Sequence, residues 1–507
     1  MASDRTLKVD RVAVIGAGAC GLAAAKYLKA ENKFSKIEVF DQRATAGGLW
    51  NYTPLHVVDS DFTIPRTKPS DRPDTLVHDD NDADAAPPVV VSPVYDQLET
   101  NIPHTLMNYC DQPFPEGSAL FPPHVVVQKY LHKNAENVSS LLSLETQVLE
   151  VRRTKAAGVK SAAWEIDTQH VPSGTKRMTE FDAVVVANGH YNDPFVPDIA
   201  GLAAFNEAHP GVVTHSKFYR RPDPFKGQKV IVVGNSASGI DLSAQIATVA
   251  QSPVLVSEKE KPNPSTTSTP AVASTDDVPP PIRNVPEIVE FLPAQCGVRF
   301  ADGVVETNID AVVFCTGYFY SYPFLRSLEP HITVPDGSHV PGLYDHILSV
   351  HEPTLTFLGI PQRIVPFPVA EAQSAWVARL FSGRLPLPST EMMQNWLDEL
   401  IAEKGIGKQL HNLAFPRDVE YINRLHDRSM QAARNPDLLP NEGIGKLPPY
   451  WGPEKAWTRE RFPMIKLAAR ALGEKRFGIQ KLEQLGFDYK AWAASAEADA
   501  SKEAEKS

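Results

Sequence analysis

The chain has 507 residues, more than a single hydrophobic core organises, so at least two lobes are expected. Its 42% hydrophobic and 22% charged content is that of a globular protein and excludes wholesale disorder or a bundle of membrane spans. The net charge of -11 opposes nucleic acid and anionic membrane surfaces as partners.

The first apolar run, Val12 to Ile15, leads straight into a glycine turn with no basic region before it, so it reads as a strand and not as a signal peptide. A helix follows from Cys20, then a strand, "KIEVFDQR", which completes a βαβ unit. Asp59 to Pro93 is rich in Asp and Pro without periodicity and reads as an exposed excursion. The spacing then predicts a helix from about Pro123 and strands over 143–154, 162–168 and 181–191. A second βαβ unit starts at "KVIVVGNSASGIDLSAQIA", Lys229 to Ala247, and continues into "SPVLVSEKEK". A Pro/Ser/Thr-rich stretch from Pro262 to Pro281 precedes another buried strand, "DAVVFCTGY". Helical patterns at 371–383 and 390–405 belong to a returning part of the chain, and the Ala/Glu/Lys end is predicted as a frayed helix or disordered tail.

This order predicts an α/β protein with two dinucleotide-binding Rossmann-like domains, the second inserted into the first. The expected bounds are 1–213 and 316–490 for the outer domain, 214–315 for the inserted one and 491–507 for the tail. Cys20, Cys110, Cys296 and Cys315 form neither a Cys-x-x-Cys pair nor a zinc spacing, so no metal site is expected and a reducing, cytoplasmic address suits them.

Gly16, Gly18 and Gly21 make a full G-x-G-x-x-G between strand and helix. Each position asks for a missing Cβ: for the tight turn, for close approach of a pyrophosphate, and for helix packing. Asp41, twenty residues after Gly21, ends the next strand, where a carboxylate accepts from ribose hydroxyls and repels a 2′-phosphate. That suits FAD or NAD. The second turn keeps Gly234 and Gly239, with Ser236 at the middle position and Ser238 beside it. Ser257, Lys259 and Lys261 fall where the first unit has Asp41, which points to NADP; the interleaved Glu258 and Glu260 allow the plainer reading of a solvated face of mixed charge. FAD in one cradle and NADPH in the other would pass a hydride from nicotinamide to flavin and electrons onward. Cys20 has no partner beside the flavin turn, which disfavours disulfide reduction and leaves molecular oxygen as the acceptor.

With these units in place the chain resembles the flavin-containing monooxygenases, most closely their yeast and other fungal members. The likeness rests on "GAGACGLAAAKYL", "GGLWNY", "VYDQLETNIPHTLMNYCDQPFP", "VVVANGHYNDPFVPDIAGL", "HPGVVTHSKFYR", the second cradle and "VVFCTGY", in that order, from about Val12 to Leu387. The family motif F-x-G-x-x-x-H-x-x-x-Y is met by Gly211, His215 and Tyr219, with His209 in place of the Phe. Related Baeyer–Villiger monooxygenases carry Trp where this chain has Tyr219.

The resemblance implies that NADPH reduces FAD, that O2 adds at flavin C4a, and that the hydroperoxide oxygenates the nitrogen or sulfur of a small-molecule amine or sulfur compound. It implies a flavin-side role for Asn101, which by sequence alone reads as a turn residue. Gly47, Gly48, Leu49 and Trp50 would lie against the flavin, or serve core packing alone. His215 and Tyr219 would stand near the second cofactor, or serve packing alone, while Arg220 either meets NADP phosphates or is a surface cation. His190 reads as structural and Tyr318 as a support of the domain junction. Two rival functions remain at this point: Baeyer–Villiger oxidation of ketones, and a non-catalytic redox sensor that binds both nucleotides. A homodimer is compatible with either.

Overall fold

In the computed structural model the described residues are 6–54, 62–74, 90–154, 164–259 and 281–504. Most of the Asp/Pro-rich excursion, Lys261 and residues 262–280 lie outside them.

The first strand, Arg11–Ile15, is buried beyond its first residue, as a continuous Val/Ile/Ala run must be when a parallel sheet is covered on both faces. It pairs in parallel with Lys36–Phe40 on one side and with Ala183–Val186 on the other. Leu142–Ser143 extends the first side; Leu355–Phe357, Leu348–Ser349 and Leu343–Tyr344 extend the second, giving seven strands. The helix Ala19–Ala30 has small residues on its buried face and lies against the almost wholly buried helix Pro366–Phe381. Gly21 lets the start of the first of these helices lie against its own turn: a Cβ there would stand 1.7 Å from Gly16 O.

The chain leaves this sheet after Val186 and returns to it at Leu343. Between them runs a five-stranded parallel sheet in the order Ile282–Val285, Val254–Ser257, Val230–Val233, Ala311–Phe314, Val213–His215. Two small antiparallel sheets complete the β structure, one from Thr146–Arg153, Trp164–His170 and Lys176–Phe181, the other from Ile288–Leu292, Gly297–Phe300 and Val305–Glu306.

The predicted helices at Pro123, 371–383 and 390–405 are His124–Glu136, Pro366–Phe381 and Thr390–Lys404. Three more, Arg417–Met430, Pro453–Ala471 and Tyr489–Ala504, fall where no helix or only a frayed end was expected. Among the described residues no helix is long and apolar enough to cross a membrane.

Candidate active site

A cavity of about 440 Å³ opens at the C-terminal ends of the parallel strands of the larger sheet, where a doubly wound fold binds its ligand. Gly16 and Gly18 form its floor with Asp41 at the edge. Gly16 has φ +104°, and a Cβ there would lie 2.6 Å from Ala187 O, so only glycine lets the strand ends close around the turn. The loop of Gly48, Leu49 and Trp50 crosses the same turn, with Gly47 N–H donating to Ala17 O at 2.9 Å. A Cβ on Gly48 would stand 2.8 Å from Gly18 Cα, a glycine-on-glycine contact that keeps the floor thin. The two pieces thus make one surface of backbone amides and bare Cα atoms, which an extended pyrophosphate fits.

Asp41 is buried and holds the turn's shape while presenting its carboxylate. Oδ2 accepts Ala17 N–H at 2.8 Å and Oδ1 accepts Arg43 N–H at 2.9 Å. Burial pushes its pKa above the usual carboxylate range, against the pull of Arg43. Beside it Gln42 and Asn192 both donate to Asp74, and Gln147 donates to Gln42, so this end of the cavity is ringed by polar side chains.

The other end is apolar: Trp50, Met107 and Phe367, which share one core cluster, line it together with Asn101. Asn101 is exposed, and its neighbour Thr100 is buried. The titratable groups there are held neutral. Burial pushes the Cys20 thiol up to about 12 and the His190 imidazole down to about 4, so neither is an acid or a nucleophile at neutral pH. His190 Nε2 is buried without a partner on the cavity wall, an orphaned polar atom of the kind a bound group satisfies. Thin floor, polar end, apolar end and orphaned ring nitrogen together fit a flavin dinucleotide.

The second turn repeats the first in backbone detail. Gly234 has φ +106° and its Cβ would meet Cys315 O at 2.8 Å; a Cβ on Gly239 would meet Gly234 O at 1.8 Å. Ser236 is the extended residue ahead of helix Ala237–Ile246, and Ser236 and Ser238 are both exposed there. This cradle fits a second dinucleotide. Ser257 does not face it: its Oγ donates to Pro286 O at 3.0 Å and accepts Ile288 N–H at 3.2 Å. The register corrects the count made along the sequence, because Gly234 N–H donates to Ser257 O, as Gly16 N–H does to Phe40 O, and so Glu258 takes the place matching Asp41. The Lys259 side chain is 88% exposed, its Nζ 3.8 Å from Glu287.

His215, Tyr219 and Arg220 lie in the segment joining the two units, and all three are buried. His215 Nδ1 accepts Lys217 N–H at 3.1 Å, its ring lies edge-on to Tyr318, and burial takes its pKa down to about 3, so it is a neutral strut. Tyr219 OH donates to Gln245 at 3.0 Å and its ring meets Tyr95. Arg220, read as a phosphate contact or a surface cation, donates from Nη1 to Lys217 O and Tyr219 O at 2.9 and 2.8 Å and is 2% exposed. Its burial excludes the surface cation, and the hold of Nη1 on two backbone carbonyls makes it a clamp on the linker. His209, in the place of the motif's Phe, packs on Phe205 and hydrogen-bonds Pro293 O at 2.7 Å, so the substitution keeps the contact and adds a polar tie.

Residues 89–262 and 282–440 match a family described as "Flavin-binding monooxygenase-like", and residues 14–64 match an "NAD(P)-binding Rossmann-like domain". The chain is 34% identical over 419 residues to "Flavin-containing monooxygenase FMO GS-OX-like 4" of Arabidopsis thaliana, covering 80% of this chain and 83% of that protein. It is likewise 34% identical over 426 residues to "Flavin-containing monooxygenase FMO GS-OX5" of the same plant, covering 81% and 83%. Among solved structures, S-allyl-L-cysteine S-oxygenase from Allium sativum superposes with a TM-score of 0.72 at 28% identity, over 98% of this chain and all of the other.

Proposed function

We propose, for a chain that belongs to the flavin-binding monooxygenase-like family, that its substrate is a small thioether or thiol whose sulfur is oxygenated in the apolar end of the larger cavity. The protein is an FAD- and NADPH-dependent monooxygenase acting on soft nitrogen or sulfur nucleophiles. The sulfur preference is supported by the likeness to the Allium S-oxygenase, at 28% identity over nearly the whole chain. The observation that carries the reading is the pair of backbone-matched cradles, one opening on a cavity with a polar and an apolar end. In this reading the outer domain is 1–213 with 316–490, the inserted domain is 214–315, and 491–507 is a tail.

Bound flavin, once reduced by NADPH, supplies the activation of O2, so that one oxygen atom reaches the substrate and the other leaves as water. The chain's residues hold and shield that chemistry. Gly16, Gly18 and Gly48 let the pyrophosphate reach the backbone, and Asp41 accepts from the ribose. Ser236 and Ser238 do the same work for NADPH at the second turn. Trp50, Met107 and Phe367 keep water out. Asn101 offers an amide that donates a hydrogen bond without giving up a proton, which an oxidant prone to collapse by protonation requires. The neutral Cys20 and His190 add no acid or nucleophile of their own.

The test is turnover of the purified, FAD-loaded protein with a thioether, a tertiary amine and a cyclic ketone in parallel. Substrate-dependent consumption of NADPH and O2 with an S-oxide product is expected. Ketone-to-ester conversion would install the Baeyer–Villiger reading, and nucleotide binding with no substrate-dependent consumption the sensor. In Asn101→Ala, NADPH oxidation is expected to continue while the hydrogen peroxide released per NADPH rises several-fold; unchanged coupling removes Asn101 from the site.

A further inference from the structure

The common backbone plan of the two turns gives their acid positions one register. Gly16 N–H donates to Phe40 O at 2.7 Å and the next residue is Asp41; Gly234 N–H donates to Ser257 O at 2.8 Å and the next residue is Glu258. The flanking strands agree, since Ala187 N–H donates to Ile15 O and Cys315 N–H to Val233 O, both at 2.8 Å. In the first turn Asp41 is drawn back over the loop by the N–H of Ala17. In the second, Glu258 is drawn to the same place by Asn235, the residue at Ala17's position, whose Nδ2 donates to Oε2 at 3.0 Å. Asn284 Nδ2 donates to the other oxygen at 3.1 Å. A half-buried carboxylate is therefore fixed where an adenosine ribose would meet the end of the strand.

Among the described residues, the groups able to neutralise a 2′-phosphate stand further out. The Ser257 hydroxyl is committed to its own sheet. Lys259 extends into solvent beside Glu287, and Lys408, whose pKa is pushed down by burial and then by the charge of Lys259, lies in the same neighbourhood. A carboxylate accepts hydrogen bonds from free 2′- and 3′-hydroxyls and repels a phosphate, whereas two peripheral ammonium groups attract one.

We propose that the nicotinamide cradle takes NADH as well as NADPH, and that Glu258 is the residue that sets their ratio. This rests on reading the second cradle as the nicotinamide site. The test is calorimetric titration of the FAD-loaded protein with NAD+ and NADP+ separately, wild type against Glu258→Gln and Glu258→Thr, with FAD content and thermal midpoint confirming that each variant is folded. Wild type is expected to bind the two nucleotides within about tenfold of each other, and both variants to tighten NADP+ by about tenfold, or ~1.4 kcal/mol, while weakening NAD+. A wild type that binds NADP+ at least about a hundredfold more tightly than NAD+ overturns the proposal. So does an unchanged NADP+ affinity in folded variants. Failure of FAD-loaded wild type to bind either nucleotide overturns the nicotinamide-site reading as well, which separates the two failures. Should neither variant fold, the wild-type ratio alone decides.

Discussion

Lys466 Nζ lies 2.7 Å from Glu99 Oε1, a buried ion pair that ties helix Pro453–Ala471 to the segment carrying Asn101. The same ammonium donates to Thr100 O at 2.8 Å, and Arg476 Nε donates to the other oxygen of Glu99 at 3.0 Å. Burial pushes the Glu99 carboxyl up, but the two cations outweigh it and hold it below the usual range. A helix far along the chain therefore sets the position of the residues just before Asn101.

Lys466→Met is accordingly expected to cost about 1–3 kcal/mol, less than the roughly 3–5 kcal/mol for a wholly unpaired buried charge because Arg476 still holds the other oxygen of Glu99. Urea unfolding measures it. Lys466→Met combined with Glu99→Leu should cost less than Lys466→Met alone, because no carboxylate is then stranded. In the folded Lys466→Met protein, peroxide release per NADPH should also rise, since the Asn101 segment has lost its brace. A stability loss with unchanged coupling would confine the pair to a structural role.

The matched glycines give a prediction with two distinct outcomes. An added Cβ would stand 1.7 Å from backbone oxygen at Gly21 and 1.8 Å at Gly239, distances at which the helix start must move away from its turn. Gly21→Ala should purify without its yellow colour. Gly239→Ala should keep the flavin and its visible spectrum but lose affinity for NADP+ by on the order of a hundredfold, with flavin reduction by NADPH falling in step. Absorbance of the purified proteins and anaerobic reduction rates distinguish the two. A yellow Gly21→Ala protein would show that this turn does not hold the flavin.

What could be read from the sequence was what local spacing encodes. Gly16, Gly18, Gly21 and Asp41 belong to one strand–turn–helix–strand unit, so their placement follows from counting, and the buried Val/Ile strands announce themselves by composition. Counting failed at the second acid because the end of the strand, set by the bond from Gly234 N–H to Ser257 O, decides which residue faces the turn; one step separates Ser257 from Glu258 and reverses the expected charge. That Arg220 is no surface cation could not be read either, because a sequence does not show the carbonyls of residues 217 and 219 that its Nη1 meets in the interior. The cavity walls at Gln147, Phe319 and Phe367 come from segments distant along the chain, which no spacing relates. Helix Pro453–Ala471 was hidden by its charges and by Pro463 within it.

Glu371 should leave its own signature in the pH dependence of stability. It is 2% exposed, and burial raises its pKa to about 7 while its oxygens accept Cys110 N–H at 2.7 Å and the Cys110 thiol at 3.2 Å. An unfolded Glu titrates near ~4.3, so between that value and about 7 the folded state binds more protons than the unfolded one. The sign follows: this group's contribution is fully present below the unfolded value, is lost as pH rises through about 7, and is flat beyond, a total of about 4 kcal/mol. Carboxylates with lowered pKa, such as Glu99 and Asp111, act in the opposite sense and only as pH falls below the ordinary range, so they do not mask it. Glu371→Gln keeps an acceptor for Cys110 N–H but carries no titrating proton. The difference in urea midpoint between wild type and Glu371→Gln, measured from pH 5 to pH 8, should move in the variant's favour up to about 7 and then level off. A difference that does not change with pH would mean that Glu371 titrates outside this window and that the carboxylate is solvated in solution.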